Sequence, residues 1–239
     1  MATRVRPRVR RRPLRAVLHF VATVLVTSGL LLLADAGLTI VWQEPVSAFL
    51  ANIEQNKLDD ELDAEAKLAA RDLRELAGER DVSIRMEKLA ERAQRRARPG
   101  HAMGKIEIPK LDKSYAVVEG VDLDDLRKGP GHYSDTEFPG EKGTTAVAGH
   151  RTTYGAPFRQ IDELKPGDEV IAKMPYGRFI YRVERTQIVA STAYWVTDRA
   201  RPDGPVIRAK RLVLTACHPL YSAAKRIVAF ARLHRIEPV

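Results

Sequence analysis

An apolar run near the N-terminus constrains this chain more than any other feature of its sequence. Residues 16–34 contain no Asp, Glu, Lys or Arg, whereas residues 1–15 contain seven arginines and no acidic residue. About 20 consecutive apolar residues span a bilayer as one helix, and basic residues collect on its cytoplasmic side. The sequence therefore predicts a basic cytoplasmic tail over 1–15, a transmembrane anchor over 16–42 and a domain outside the cell.

A cleaved signal peptide is the competing interpretation of the same run. The run is long for a signal peptide, and no clear small-x-small cleavage site precedes the segment from Trp42 to Pro45. Asp35 is expected near the outer boundary, because an acidic side chain at the bilayer centre costs roughly 2.5–3.5 kcal/mol on insertion scales. We favour a retained single-pass anchor with Trp42 at the interface, which makes the membrane a partner.

The charge of the chain is concentrated in the tail. The formal net charge is +9, and leaving out the seven tail arginines reduces it to +2. A basic chain is often a nucleic-acid binder, but this one has no helix-turn-helix, zinc-finger or RNP motif. The sequence therefore predicts no nucleic-acid partner.

Residues 43–100 have the composition of helices. Apolar residues recur in alternating steps of four and three, the spacing of one helical face. Gly78 and Asp81 interrupt the pattern, and Pro99-Gly100 ends it. The heptads are short and mix Leu with Ala, so we expect a stalk or linker of solvated spacer helices rather than a dimerisation zipper. The first helical face comprises Leu58, Leu62, Ala66, Ala69, Leu73 and Leu76.

Residues 104–239 consist of short β-like runs separated by Gly and Pro. Asp122–Lys128 has the acidic start of a short helix. The pattern predicts one mostly β domain, a largely antiparallel barrel or sandwich. The predicted strands are Lys105–Pro109, Tyr115–Val118, Thr144–Ala148, Glu169–Ala172, Phe179–Val183, a strand from Val206 through Leu214, and Ile227–Phe230.

Cys217 is the only cysteine in the chain and ends the apolar run that begins at Arg211. No internal disulfide is possible, and a lone cysteine outside the cell is either intermolecular or reactive. A buried cysteine acting as a small hydrophobe is the alternative. The residues that accompany Cys217 decide between them.

His150 and Arg226 are the candidate partners of a Cys217 nucleophile. A thiol nucleophile needs a group that exchanges protons and positive charge where the oxyanion forms. His150 ends the strand-like run that begins at Thr144, and Arg226 is the ninth residue after Cys217. If the strands flanking that loop are antiparallel neighbours, Cys217 and Arg226 come together. The predicted catalytic site is therefore Cys217, His150 and Arg226.

Five segments resemble the sortases, the membrane-anchored cysteine transpeptidases of Gram-positive bacteria. They are GHRTTYGAPF at 149–158, TACHPLYSAAKR at 215–226, GPGHY at 129–133, PGEKG at 139–143 and the anchor with ADAGLT and WQEPVSA. The likeness is greatest to the class E sortases of actinobacteria. It covers most of the chain outside the stalk.

The resemblance implies an enzyme with a closed eight-stranded β-barrel, short helices and a role in cell-wall anchoring. We expect no cofactor and no metal, because no Cys/His pair has zinc spacing and Asp122, Asp124 and Asp125 look like a helix start rather than a calcium loop. By analogy, Cys217 attacks the Thr-Gly bond of a Leu-Ala/Pro-X-Thr-Gly sorting signal on a secreted protein and forms a thioacyl enzyme. A peptidoglycan amine then accepts the protein. The analogy makes His150 the general acid and base and Arg226 the oxyanion-stabilising group.

Tyr154, His218 and Tyr221 are the substrate-binding candidates. Each tyrosine is equally well explained as a loop residue, and His218 fits a structural or substrate-lining role better than a catalytic one. His132 is expected in a loop. Sortases commonly have Thr-Leu-x-Thr-Cys before the nucleophile, whereas this chain has Val-Leu-Thr-Ala-Cys at 213–217 and lacks both of those threonines. No role is assigned to Thr215.

Two other functions remain open at this point. An L,D-transpeptidase is another extracytoplasmic cysteine acyltransferase, but its Ser-x-Gly-Cys-type run is absent from this sequence. An anchored scaffold would bind peptide without cutting it. An irreversible thiol probe separates the second possibility from a sortase, because an inert buried Cys217 would not react.

Overall fold

The computed structural model describes residues 12–42, 45–197 and 209–239. The chain divides into two compact units, residues 1–45 and 46–239. In the first, helix α1 spans Arg12–Trp42, and its Arg15–Gly37 stretch is long and apolar enough to cross a membrane. This agrees with the predicted anchor. Most of the predicted tail, and the side chain of Trp42, lie outside what the structure describes.

The second unit contains a closed eight-stranded β-barrel, which confirms the predicted fold. Neighbouring strands follow the order β1-β2-β3-β4-β7-β8-β6-β5. The strands are β1 (Ala102–Ile108), β2 (Lys113–Glu119), β3 (Gly131–His132), β4 (Gly143–Ala148), β5 (Glu169–Met174), β6 (Gly177–Ala190), β7 (Lys210–His218) and β8 (Lys225–Pro238).

Six of the eight neighbouring strand pairs are antiparallel, and the pairs β2–β3 and β4–β7 are parallel. The sequence pattern had predicted a largely antiparallel sheet, without these two parallel pairs. Parallel pairing of β4 with β7 matters most, because it places the C-terminal ends of both strands side by side. The predicted strand from Val206 begins at Lys210 in the structure, and residues 206–208 lie outside the described part.

Alternation along β7 separates two apolar clusters. Leu212, Leu214 and Ala216 belong to the main core inside the barrel. Val213 belongs to a second cluster, and successive strand residues point to opposite faces. Cys217 and Thr215 share the face of Val213. The nucleophile candidate is thus on the outer face of the barrel wall.

The predicted stalk is helical, but the structure corrects its description as a solvated spacer. Helix α2 spans Pro45–Glu75 and α3 spans Val82–Arg96. Residues 46–239 form one compact unit, so the predicted boundary at 100–104 does not separate two packed bodies. Part of the apolar face that suggested a weak coiled-coil seam is buried in this unit instead, through Leu58 and Ala69. In α3, Met86, Leu89 and Ala90 are buried as well.

Polar contacts fix the two helices. The Gln55 side chain accepts a hydrogen bond from Ala116 N at 2.7 Å and donates to Lys128 O at 2.8 Å. Arg92 pairs with Asp72 at 2.9 Å and so joins α3 to α2. The predicted short helix is present as α4, Leu123–Lys128.

We expect Leu89→Ala to lower the free energy of unfolding of residues 46–239 by about 2–5 kcal/mol, because Leu89 is 1% exposed in the core. Ile84→Ala, on the same helix but 44% exposed, is the matched control and should change it by less than about 0.5 kcal/mol. Urea unfolding measures both. Equal effects of the two substitutions would show that α3 does not pack on the barrel.

Candidate active site

Cys217 and Arg226 face each other across the β7–β8 hairpin. The two residues are direct partners in the antiparallel register. Side chains of directly opposed residues lie on the same face with Cβ atoms about 4.5–5.5 Å apart. The structure therefore brings together the pair that the nine-residue spacing predicted.

His150 reaches the same region from the neighbouring strand. In the parallel β4–β7 ladder, Ala148 pairs with Thr215, and Gly149 N donates to Thr215 O at 3.0 Å. Continuing that register by two residues brings His150 level with Cys217. The three predicted catalytic residues thus meet at one end of the β4, β7 and β8 strands.

Packing explains the glycine before His150. A Cβ atom on Gly149 would lie 2.5 Å from the ring of Phe158, which is fully buried. Phe158 N also donates to His150 O at 3.0 Å. The chain after β4 therefore folds back tightly over Phe158, and this fold-back sets the position of His150.

The Arg226 guanidinium is half-buried and is directed along its own loop. Its Nη1 donates to Ala223 O at 2.9 Å and to Lys225 O at 3.0 Å. A guanidinium carries five N–H donors, so these two bonds leave donors for an oxyanion. The loop carbonyls hold the arginine beside the nucleophile.

A buried apolar cluster, here called the floor, lies under the outer face of the barrel next to the catalytic candidates. Val213, Val228 and Phe230 belong to it, and Tyr133 and Trp195 pack against it. The Tyr133 hydroxyl lies 3.1 Å from the Thr215 hydroxyl. Thr215, to which the sequence assigned no role, is therefore a buried residue that positions the Tyr133 hydroxyl near Cys217.

The predicted substrate-binding residues occupy the loops around this floor. The Tyr154 ring lies 5.2 Å from the His150 ring, measured between centroids. Tyr221 is 66% exposed in the loop between β7 and β8. His218, half-buried, follows the nucleophile at the end of β7. Each of the three therefore lies next to a catalytic candidate in the chain or in space.

Arg151 is the residue that sequence analysis missed. It is 3% exposed, and its Nη2 pairs with Asp162 Oδ1 at 2.9 Å. Its Nη1 donates to His218 Nδ1 at 3.3 Å and lies 3.5 Å from Cys217 O. A buried cation needs such partners, and here they include the backbone of the nucleophile. Its position directly after His150 was the available signal.

His132 corrects another expectation. It lies in strand β3 rather than in a loop and is fully buried. Its Nδ1 donates to Glu119 Oε2 at 2.8 Å, and its Nε2 lies 3.0 Å from Thr136 Oγ1. A two-residue strand has no detectable periodicity, so no sequence pattern indicates it. The role of His132 is structural, beneath Tyr133.

The site has the chemistry of a thiol acyltransferase. Within the ranges that the structure describes, no cluster of three or more His, Cys, Asp or Glu side chains could hold a metal ion. A thiol, an imidazole and a guanidinium meet beside an apolar floor. These groups can form an acyl-thioester, exchange a proton and stabilise an oxyanion.

Comparisons with known proteins agree with this geometry. The chain matches the sortase domain family over residues 106–234, more than half its length. It is 33% identical to sortase D of Bacillus subtilis over 187 residues, covering 75% of this chain and 86% of that protein. It is 29% identical to sortase SrtE1 of Streptomyces coelicolor over 152 residues, covering 59% of this chain and 42% of that protein.

Solved structures show the same fold. A sortase E from Streptomyces avermitilis superposes with a TM-score of 0.54 and 34% identity, covering 59% of this chain and 93% of that one. The SrtF sortase of Corynebacterium diphtheriae gives a TM-score of 0.56 and 28% identity, covering 60% and 89%. The matched domain contains Cys217, His150 and Arg226. The chain therefore belongs to the sortase family of cysteine transpeptidases.

Proposed function

We propose that this sortase cleaves a C-terminal sorting signal between Thr and Gly and transfers the secreted protein to a peptidoglycan amine. The observation that supports this most strongly is the register of three strands. Cys217 pairs with Arg226, and the β4–β7 ladder extends towards His150. The partners are thus secreted proteins with a Leu-Ala/Pro-X-Thr-Gly type signal and a cell-wall amine.

In the first half-reaction, the Cys217 sulfur attacks the threonine carbonyl carbon as its thiolate. The carbonyl oxygen becomes an oxyanion, which the Arg226 guanidinium stabilises by charge and N–H donation. His150 donates a proton to the glycine nitrogen as the C–N bond breaks. The tail leaves as a free amine, and the protein remains as a thioester on Cys217.

In the second half-reaction, the acceptor amine attacks the thioester carbonyl. His150, now neutral, takes a proton from this amine as the new C–N bond forms. The Arg226 guanidinium stabilises the second oxyanion in the same place. Collapse of this intermediate breaks the C–S bond and returns the Cys217 thiolate, so one histidine serves both halves.

The floor and loops described above support a groove for the sorting signal. Tyr133 and Trp195, which are half-buried over the floor, offer apolar surface for a leucine, and we place Tyr154, His218 and Tyr221 at the end where the bond breaks. Exposure of the Tyr221 ring leaves it free to cover a bound peptide. We assign these three residues to substrate binding.

We further propose the class E preference for Leu-Ala-X-Thr-Gly over Leu-Pro-X-Thr-Gly. Alanine presents a backbone N–H that proline lacks, so a selective groove needs an acceptor for it. The Tyr154 hydroxyl is our candidate. Tyr133 also carries a hydroxyl on this face, 3.1 Å from that of Thr215, and is the internal comparison.

The cellular location that we propose for the catalytic domain follows from its substrates. Secreted proteins and cell-wall amines meet outside the membrane, so we place the catalytic domain there. The N-terminus is then cytoplasmic and α1 is a single-pass anchor, in keeping with the arginine-rich tail.

Two peptides, with Leu-Ala and Leu-Pro signals, test the proposal when incubated with the enzyme and an amine. Mass spectrometry should find tail release and ligated product with wild type and neither with Cys217→Ala.

We expect the Leu-Ala peptide to be favoured over the Leu-Pro peptide by roughly 10–200-fold in kcat/KM. Tyr154→Phe should narrow that ratio, with Tyr133→Phe as comparison. If Tyr154→Phe leaves the ratio of the two kcat/KM values unchanged, the Tyr154 hydroxyl does not distinguish alanine from proline. A preference of wild type for the Leu-Pro peptide would contradict the class E assignment.

Arg151→Ala should lower kcat by about 10–100-fold with little change in KM, because hydrogen bonds to a charged group contribute about 1.5–3 kcal/mol. Arg151→Lys should retain part of the activity. Histidine NMR on each variant should show that His218 loses its hydrogen bond at Nδ1. Loss of activity with an unchanged His218 signal would contradict a positioning role. Asp162→Asn, which keeps the guanidinium, is the matched control.

A further inference from the structure

The first two turns of α2 expose a group of large apolar side chains. Phe49 is 64% exposed, Leu50 53% and Ile53 39%, and we call these three residues the α2 patch. The other side of the helix packs on the barrel through Ala51 and Leu58. Among the residues that the structure describes, the patch is therefore an unpartnered face of a helix whose opposite face packs on the barrel.

The patch ends in the first half of the helix. The next four exposed positions after Ile53 are polar, and the next large apolar side chain that is exposed is Leu68, at 37%. The four positions are Asn56, Lys57, Asp59 and Asp60. An apolar face that becomes polar along one helix indicates that only its beginning meets an apolar environment. Clustered exposed apolar side chains usually mark an interaction surface.

The covalent chain limits what that environment is. Helix α1 ends at Trp42 and α2 begins at Pro45, so two residues join them. An extended chain spans at most about 3.6 Å per residue, which limits this connection to roughly 11 Å. Between Asp35 and Glu54, the only charged residue is Glu44. The apolar character of the membrane-spanning sequence thus continues into the patch.

We propose that the α2 patch inserts into the outer leaflet of the membrane in which α1 is anchored. This inference rests on the anchor and orientation given under Proposed function. A helix with an apolar face binds the boundary between headgroups and acyl chains, and Phe, Leu and Ile are suited to that depth.

The patch also lies next to the loop that follows His150. Tyr154 N donates to the Ser47 hydroxyl at 3.2 Å, next to the patch. A Cβ atom on Gly155 would lie 3.7 Å from Ala51 Cβ, and Tyr115 Oη donates to Gly155 O at 3.3 Å. The start of α2 thus contacts the loop that follows His150. A membrane-docked α2 holds the active site close to the membrane surface, where a substrate still tethered by its own tail arrives.

Quenching by brominated lipid tests the docking directly in the full-length chain. Two variants each carry a single tryptophan, at position 53 (Ile53→Trp) or at position 60 (Asp60→Trp). In both, the two native tryptophans are replaced (Trp42→Phe and Trp195→Phe). Each variant is reconstituted in vesicles of brominated phosphatidylcholine and phosphatidylglycerol. We expect at least about twofold stronger quenching at position 53 than at position 60. Equal quenching at the two positions, or release of the chain from the vesicles on flotation, would overturn the proposal.

Activity gives the second readout. Phe49→Ser with Ile53→Ser should lower turnover of a sorting-signal peptide tethered to the same vesicles by about tenfold, while turnover of the soluble peptide stays within about twofold. Asn56→Ser with Asp60→Ser, on the polar part of the same face, should change neither.

Other outcomes of these experiments are also decisive. If the patch instead holds a second copy of the chain, position 53 will not be quenched and the double serine variant will convert dimers to monomers, which contradicts the proposal. If wild type cleaves neither peptide, the proposed function fails, and the quenching still decides whether the patch is docked.

Discussion

The parallel pairing of β4 with β7 is the constraint on which the site depends. The ladder runs from Gly143 opposite Lys210 to Ala148 opposite Thr215. It places a loop bearing a histidine beside the end of a strand bearing a cysteine. Because side chains alternate along a strand, a slip of one residue would turn Cys217 into the barrel core. The apolar residues on both faces of β7 resist such a slip.

Buried polar contacts hold β4 in place from its other side. Thr144 N donates to Glu137 Oε2 at 2.9 Å, and Ala146 N donates to Thr136 Oγ1 at 3.1 Å. His132 and Glu119 continue this network. Removing one partner would leave a buried polar group unsatisfied, which costs about 1–3 kcal/mol. The network therefore supports the register, and the register supports the site.

The juxtaposition of Cys217, Arg226 and the chain at His150 was predictable because its signals are local. The eight residues between Cys217 and Arg226 fit one hairpin, and Gly-His after a strand-like run marks a turn. The eight-stranded barrel itself came from the resemblance. The parallel partner of β4 was not predictable, since β7 lies more than sixty residues further along the chain and pairing is decided by the closure of the barrel.

The packing of α2 and the burial of Arg151 were also not predictable from the sequence. The spacing of Leu58 and Ala69 defines an apolar face but not what covers it, so a spacer and a packed helix look alike in sequence. Arg151 reads as a surface charge next to His150. Only the tertiary structure shows that it is buried against Asp162 and the backbone of the nucleophile. Contacts distant in sequence therefore account for most of what was missed.

The role of Arg226 tests the central claim, that strand register assembles this site, most directly. Steady-state cleavage by Arg226→Ala should fall by about 10²–10³ in kcat/KM. Arg226→Lys should not restore the rate, because a point charge replaces a planar fork. Arg232→Ala is the control, on the same strand but 64% exposed and paired with Glu184, and should stay within about twofold of wild type. Cleavage by Arg226→Ala at nearly the wild-type rate would contradict the account.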